Sequence, residues 1–380
     1  MASAAWHVCF WLGGLALVWC FAGYAITLAI LTRGRRQVSP WGSVPAKQDV
    51  SIVIAARNEG PRIAKKISDL TACDTSRVCE IILVCDHCTD DTAEQALATS
   101  SALVRVHRHE AGPSGKAGAL NAGVALAAGE LVLFTDARQR IAPDAVSRLA
   151  AWFDDPANGA VSGSLEIEPS QDGTGSALDA YWRLEKQIRE CESAIASSIG
   201  CTGAIYMIRR SLFRPVPADT ILDDVVIPMN IVTQGFRVRF DPEARAYDPQ
   251  TLDGAAESRR KIRTLAGNFQ MLFRHPQWLL PWVNGLCWQL ISHKYLRIAA
   301  PLLLVGCFIA SWRLGSNPFY GLAFGCQITL WVLAATGLMI PRVRWRALSI
   351  PAGFLFLQIS VVRGFFFWLA SLAKPQGAWK

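Results

Sequence analysis

The chain is predicted to hold an α/β domain with a mostly parallel sheet, joined to an α-helical membrane region. Three observations predict it. Between residues 50 and 135, short apolar runs alternate with polar, helix-like stretches, the pattern of parallel strands joined by helices. Of the 380 residues 52% are hydrophobic and only 18% charged, which is too apolar for a purely soluble protein. Four long apolar segments flank the alternating region.

The first apolar segment runs from about Trp6 to Leu31, long enough to cross roughly 30 Å of hydrocarbon. Arg33, Arg35 and Arg36 follow it instead of preceding it, and no small-residue cleavage site follows, unlike a secretory signal. The remaining segments lie near Ile298–Trp312 (starting as early as Lys294), Phe319–Ile340 and Leu348–Ala373. Arg342, Arg344 and Arg346 sit between the last two. The positive-inside rule places both basic clusters in the cytoplasm, with a multi-pass topology at the inner membrane. Four crossings would put Lys374 and Lys380 outside, against that rule, so a re-entrant last segment is an alternative. Arg363 in its middle needs a partner or a water-filled path. The net charge of +8 is gathered at the edges of apolar segments, which is not the footprint of a nucleic-acid-binding protein.

The expected division is an N-terminal membrane helix (1–37), a cytoplasmic domain (38–275), and an interfacial helix with about three membrane helices (276–380). Within the middle region, strands are expected at Val50–Ala55, Glu80–Cys85, Leu103–Val106 and Glu130–Phe134. Helices are expected at Pro61–Leu70, with a basic face, at Asp91–Thr99 and at Ala117–Ala127. The Trp- and Leu-rich stretch Pro276–Leu290 suits a helix lying in the headgroup region.

Ligands of such sheets bind at the carboxyl ends of the strands, and the polar residues gather there. Asn58-Glu59 closes the first strand, and in isolation reads more often as a solvated turn than as a site. Asp86 closes the second strand. Thr89 or Asp90 can cap the helix that follows, leaving Asp86 for a ligand. Lys116 and Asn121 lie in the small-residue run Gly115–Gly123, where backbone can approach a phosphate closely. Asp136 follows an apolar strand, where a carboxylate seldom serves packing. A cation and a carboxylate so placed suit a diphosphate and its counter-ion. Asp223-Asp224 lies among apolar residues, so a charge partner or a raised pKa is expected. Arg259-Arg260-Lys261-Ile262-Arg263 reads as a membrane-proximal basic patch or as cations for a departing diphosphate. Cys85-Asp86-His87-Cys88, near His107 and His109, has C-x-x-C spacing without a second pair, so a strand end is preferred over a zinc site.

These motifs, in this order, resemble the membrane-bound family 2 glycosyltransferases, the group with cellulose, chitin and hyaluronan synthases and exopolysaccharide enzymes. The resemblance covers roughly residues 50–267. It implies a GT-A, Rossmann-like nucleotide-sugar-binding fold. It implies donor contacts from Asn58, Glu59, Asp86, Lys116, Asn121, Arg260 and Arg263, and acceptor contacts from Thr202 and Gly203. It makes Asp224 the catalytic base beside Asp223, and Asp136 the ligand of a divalent cation, Mg or Mn. The implied reaction is inverting transfer from a nucleotide sugar, UDP-linked, to a lipid, lipid-linked or glycan acceptor.

Three positions depart from the family pattern. The D-x-D metal motif reads Asp136-Ala137-Arg138; Arg138 is expected to turn aside and pair with an acid such as Asp144, the alternative being that it points inward and neutralises phosphate. The T-E-D glutamate is Asp223. The Q-x-x-R-W segment reads Arg260-Lys261-Ile262-Arg263-Thr264, without the tryptophan associated with processive synthesis. Single-sugar transfer is therefore favoured over a polymer-secreting synthase, and a non-catalytic membrane subunit is the remaining alternative.

Overall fold

The computed structural model describes residues 2–35, 39–40, 48–167, 176–248, 254–340 and 345–373. Arg36, Arg342, Arg344, Lys374 and Lys380 lie outside them, so of the expected basic flanks only Arg33, Arg35 and Arg346 are described.

The chain opens with helix α1 (Ala2–Val18), a π turn (Trp19–Gly23) and α2 (Tyr24–Leu31), one continuous apolar rod. The α/β domain follows: β1 (Val50–Ala56), α3 (Gly60–Thr71), β2 (Val78–Asp86), α4 (Thr92–Leu97), β3 (Val104–His109), α5 (Lys116–Leu126), β4 (Leu131–Thr135), β5 (Arg140–Ile141) and α6 (Ala145–Ala151). Then come β6 (Asn158–Ile167), α7 (Ser176–Ile195), β7 (Ile205–Arg209), α8 (Asp223–Val232), β8 (Arg237–Asp248) and α9 (Gly254–Arg274). A short α10 (Cys287–Leu290) passes through a second π turn (Ile291–Tyr295) into α11 (Leu296–Arg313), followed by α12 (Pro318–Met339) and α13 (Arg346–Leu372).

The sheet order is β3-β2-β1-β4-β7-β6-β8-β5. The first four strands are mutually parallel, β6 and β8 are parallel, and β7 and β5 run against their neighbours. β1 is buried along its whole length, as expected for a strand covered on both faces. Its side chains alternate between two cores. Ile52 and Ile54 pack with Ile63, Ile67 and Leu133 on one face, and Val53 packs with Leu120, Val132 and Phe134 on the other. The chain leaves β1 toward β2 and β3, then returns to β4 on the opposite side. That reversal makes the carboxyl ends of β1 and β4 a topological switch point, where such sheets bind ligands.

Four helices are long and apolar enough to cross a membrane: Ser3–Leu31, Cys287–Arg313, Pro318–Met339 and Arg346–Leu372. The second begins at Cys287, earlier than the expected Lys294. The expected single helix over Pro276–Leu290 is not formed. Pro276–Leu279 is one 3₁₀ turn, and α10 begins only at Cys287. Pro281 between them has no N–H to continue a helix. Packing runs on across residue 276, because Trp278, Leu290, Ile298 and Val361 join the core that holds Val53 and Phe134. Helix α9 bridges the two regions. A Cβ on Gly267 would lie 2.5 Å from Leu222 Cγ, and one on Gly364 of α13 would lie 2.9 Å from Leu265 Cβ. Both glycines permit backbone approaches that a larger residue would block. Arg363, beside Gly364, is exposed at this crossing.

Candidate active site

Four elements meet at the carboxyl edge of the sheet. Lys116 opens α5, Asp136 follows β4, Asp223 and Asp224 form the first turn of α8, and Gly203 lies in the loop before β7. Lys116 Nζ is 2.8 Å from Asp136 Oδ1 and 3.4 Å from Asp223 Oδ2. The Gly203 N–H donates to Asp224 Oδ2 at 3.2 Å. A Cβ on Gly203 would sit 3.3 Å from that oxygen and 3.5 Å from Lys116 Nζ, so the glycine keeps the carboxylate and the ammonium accessible to one another.

The electrostatics follow from burial. Burial opposes the Lys116 charge, but Asp136 and Asp223 outweigh it and hold the ammonium above its usual range. Burial pushes the Asp223 carboxyl up to about 6; Lys116 pulls it down, while Asp224 and Asp136 push it further up. Asp223 thus has the expected charge partner and a raised pKa, and with Asp224 it opens α8. Asp223 Oδ2 is buried and, despite the nearby ammonium, accepts no hydrogen bond among the described residues. A buried carboxylate oxygen left this way favours a further donor or cation.

Arg138 does turn aside, but its partner is Asp248 at the end of β8. Asp144 is instead paired with Arg148 at 2.6 Å. Asp248 is 110 positions from Arg138, so nothing local announced that pairing. Arg260 lies 3.9 Å from the same Asp248 oxygen and 3.4 Å from Glu257. Arg263 is half-buried and near enough to lower the Asp223 carboxyl. Lys66 was also missed. The basic face of α3 holds the exposed Arg62 and Lys65, but Lys66 is 3% exposed. It donates to Thr135 Oγ1 at 2.8 Å and to the Gln139 carbonyl at 2.6 Å, bracing the segment that carries Asp136. Its place on the apolar stripe of Ile63, Ile67 and Leu70 was the available signal.

Residues 51–216 match the sequence profile of glycosyl transferase family 2. The chain carries a family 2 glycosyltransferase domain. Over 241 residues it is 25% identical to a poly-β-1,6-N-acetyl-D-glucosamine synthase of Staphylococcus aureus, covering 61% of this chain and 57% of that one. Over 233 residues it is 28% identical to an N-acetylglucosaminyltransferase of Mesorhizobium japonicum, covering 54% and 51%. The chain thus spans a little over half the length of the curated relatives it matches. Among solved structures it resembles the mannosyltransferase PcManGT of Pyrobaculum calidifontis, in complex with GDP-Man and Mn2+. The TM-score is 0.68 at 19% identity, with 94% of this chain and 99% of that chain covered. At that identity the likeness establishes the GT-A fold alone.

Other residues expected in the site of this glycosyltransferase domain are held differently. Asp86, expected at the ligand, is tied into the fold at the end of β2. Its Oδ2 accepts from Ser114 Oγ at 2.7 Å and from the Gly115 N–H at 2.9 Å, and its Oδ1 lies 2.9 Å from His87 Nδ1. Fully buried, it fixes the loop that presents Lys116. Asn121 is tied to a second segment of the chain. It clips the backbone of Val216, donating to the carbonyl at 2.7 Å and accepting the N–H at 3.1 Å. Asn58, at φ 58°, exchanges hydrogen bonds with Thr89 across an exposed turn. The Glu59 N–H donates to Thr92 Oγ1 at 2.8 Å, and its carboxylate pairs with Arg62. Of the two expected caps, Asp90 accepts the Thr92 N–H at 3.1 Å. The Thr202 N–H donates to Ser162 Oγ at 2.9 Å, tying the loop before β7 to β6.

Proposed function

We propose that this chain is an inverting glycosyltransferase that moves a sugar from a UDP-linked donor to a lipid, lipid-linked or glycan acceptor at the inner membrane face, in polysaccharide or glycolipid biosynthesis. One observation carries the reading. Lys116 lies between Asp136 and Asp223, and Asp224 beside them is held by the Gly203 N–H. Asp224 takes the proton of the acceptor hydroxyl while that oxygen forms its bond to the anomeric carbon. The bond from that carbon to the diphosphate breaks with inversion, and the nucleoside diphosphate leaves. General base catalysis typically contributes about 10²–10⁴-fold. The charge growing on the leaving group is the larger burden, and Lys116, Arg260 and Arg263 are the cations at hand. The relatives' names support N-acetylglucosamine as the first sugar to try.

A divalent cation fits the residues in a restricted way. Among the described residues no group of three or more His, Cys, Asp or Glu could hold a metal. Asp136 is partly exposed, and a Mg²⁺ ion commonly takes one or two carboxylates together with phosphate oxygens and waters. Asp136 would hold the ion with the donor diphosphate, and the ion would neutralise the departing charge.

A processive synthase is the second reading, favoured by the polymer named in the Staphylococcus aureus relative and opposed by Thr264 in place of the expected tryptophan. The test is the purified full chain in lipid nanodiscs with UDP-N-acetylglucosamine and other nucleotide sugars. Release of nucleoside diphosphate that depends on Asp224 supports the proposal. No release from any donor would sink it, and product length separates single addition from polymerisation.

A further inference from the structure

A second buried set of ionisable side chains lies where α7 meets the membrane helices. His293 bridges two carboxylates: its Nδ1 is 2.8 Å from Glu192 Oε1 and its Nε2 is 2.8 Å from Glu185 Oε1. Arg297 donates to Glu185 Oε2 at 2.9 Å, with Lys294 and Arg189 at 3.8 and 3.9 Å from that carboxylate. Burial alone would raise the Glu185 carboxyl, but His293 and Arg297 outweigh it and hold it well below the usual range. Tyr24 Oη donates to Glu192 Oε1 at 2.5 Å. Glu192 and His293 are fully buried.

Both membrane helices change their winding at this cluster. The π turn Trp19–Gly23 directly precedes Tyr24, and the π turn Ile291–Tyr295 contains His293. Trp19 Nε1 donates to Ser292 Oγ at 3.0 Å, joining the two turns. Such turns inside α-helices collect at functional positions. Buried ion pairs add little net stability over apolar packing, so stability is a poor reason for this cluster.

The second oxygen of Glu192 points to the reason. Its Oε2 accepts the Ile199 N–H at 3.3 Å. Ile199 begins the run Ile199-Gly200-Cys201-Thr202-Gly203, which grips Asp224 twice. The Cys201 N–H donates to the Asp224 carbonyl at 2.7 Å, and the Gly203 N–H donates to its carboxylate. The path from the membrane helices to the base is thus Tyr24 or His293, Glu192, Ile199, Gly203, Asp224.

We propose that Glu192 is a positioning residue for Asp224, held by Tyr24 and His293, so that the seating of the two membrane helices sets the geometry of the base. This inference rests on the role given to Asp224 above. Two readouts test it on the full chain in nanodiscs: amide hydrogen exchange of residues 199–203 without substrate, and steady-state kinetics with the nucleotide sugar. Glu192→Leu removes the acceptor for Ile199; Glu192→Gln keeps one; Tyr24→Phe removes one hydroxyl. Exchange across 199–203 is expected to rise in Glu192→Leu, less in Tyr24→Phe, and least in Glu192→Gln. In Glu192→Leu, kcat should fall by about 10–100-fold, the scale of a misplaced catalytic group. Donor KM should stay within about twofold, and Glu192→Gln should restore most of kcat. Unchanged exchange at 199–203 in Glu192→Leu would overturn the inference, as would a loss carried by KM alone. Should Glu192→Leu fail to fold, the same exchange comparison between Tyr24→Phe and wild type decides. Should wild type turn over no nucleotide sugar, the glycosyl-transfer reading falls, and the exchange data still judge whether Glu192 holds this loop.

Discussion

Lys116 Nζ rests 2.8 Å from Asp136 Oδ1. The family pattern has a second acid near Asp136; this chain puts an arginine there and turns it away to Asp248. The ammonium is the positive charge that Asp136 keeps, and it comes from the small-residue run that opens α5. In the proposed reaction it lies where the diphosphate must pass.

Asp224→Asn preserves shape and the hydrogen bond from Gly203 but cannot take a proton. Turnover is expected to fall by at least about two orders of magnitude. Nucleotide-sugar affinity by calorimetry should hardly change. Near-normal turnover would remove Asp224 from the role of base.

Lys116→Ala is expected to weaken a nucleoside diphosphate more than the nucleoside alone, because the cation serves phosphate. Calorimetry with UDP and uridine measures the difference. Equal losses for both ligands would place the lysine elsewhere.

Asp223 makes stability depend on pH. Its folded-state carboxyl titrates at about 6, above the ordinary value of 3.8. The folded chain therefore holds this proton more tightly than the unfolded chain does. Below about pH 4 both states are protonated and the group costs nothing; between about 4 and 6 stability falls as pH rises, and above about 6 the cost is complete. Removing Lys116, which pulls the carboxyl down, should extend the falling window to higher pH. Asp223→Asn should flatten this part of the profile, read as melting temperature against pH. An Asp223→Asn profile parallel to wild type through pH 4–6 would refute the assignment.

Arg138→Ala is expected to leave activity within about tenfold, because the guanidinium is committed to Asp248 and not to the acids around Lys116. Asp136→Ala and excess chelator should each abolish transfer. Full turnover in chelator with an inactive Arg138→Ala enzyme would hand the role of the metal to the arginine.

Gly200 adopts φ +74°, and a Cβ there would lie 3.0 Å from the Asp224 carbonyl and from Val225 Cα. Gly200→Ala is therefore expected to destabilise by more than about 1 kcal/mol. It should also lower turnover, since the same loop grips Asp224. Urea unfolding of the variant, with activity measured at permissive temperature, checks both. An unchanged midpoint would mean that the loop relaxes freely.

The sequence by itself determined the first four strands of the α/β domain with the helices between them, the apolar helices, and the residues Lys116, Asp136, Asp223 and Asp224. Each carries a local signal. Alternation and apolar length set the elements, and a charged residue just after an apolar strand or between apolar neighbours costs desolvation that packing alone does not explain. Only the tertiary structure decided where those charges find partners. Asp86 and Asn121 sit in strong motifs, and the fold ties them to Gly115 and to Val216. Arg138 pairs with a residue 110 positions away, and Glu192 meets His293 across 101. A hydrogen bond or ion pair forms wherever the fold brings a donor within about 3 Å of an acceptor, and sequence spacing carries no record of that approach once the partners lie on different elements.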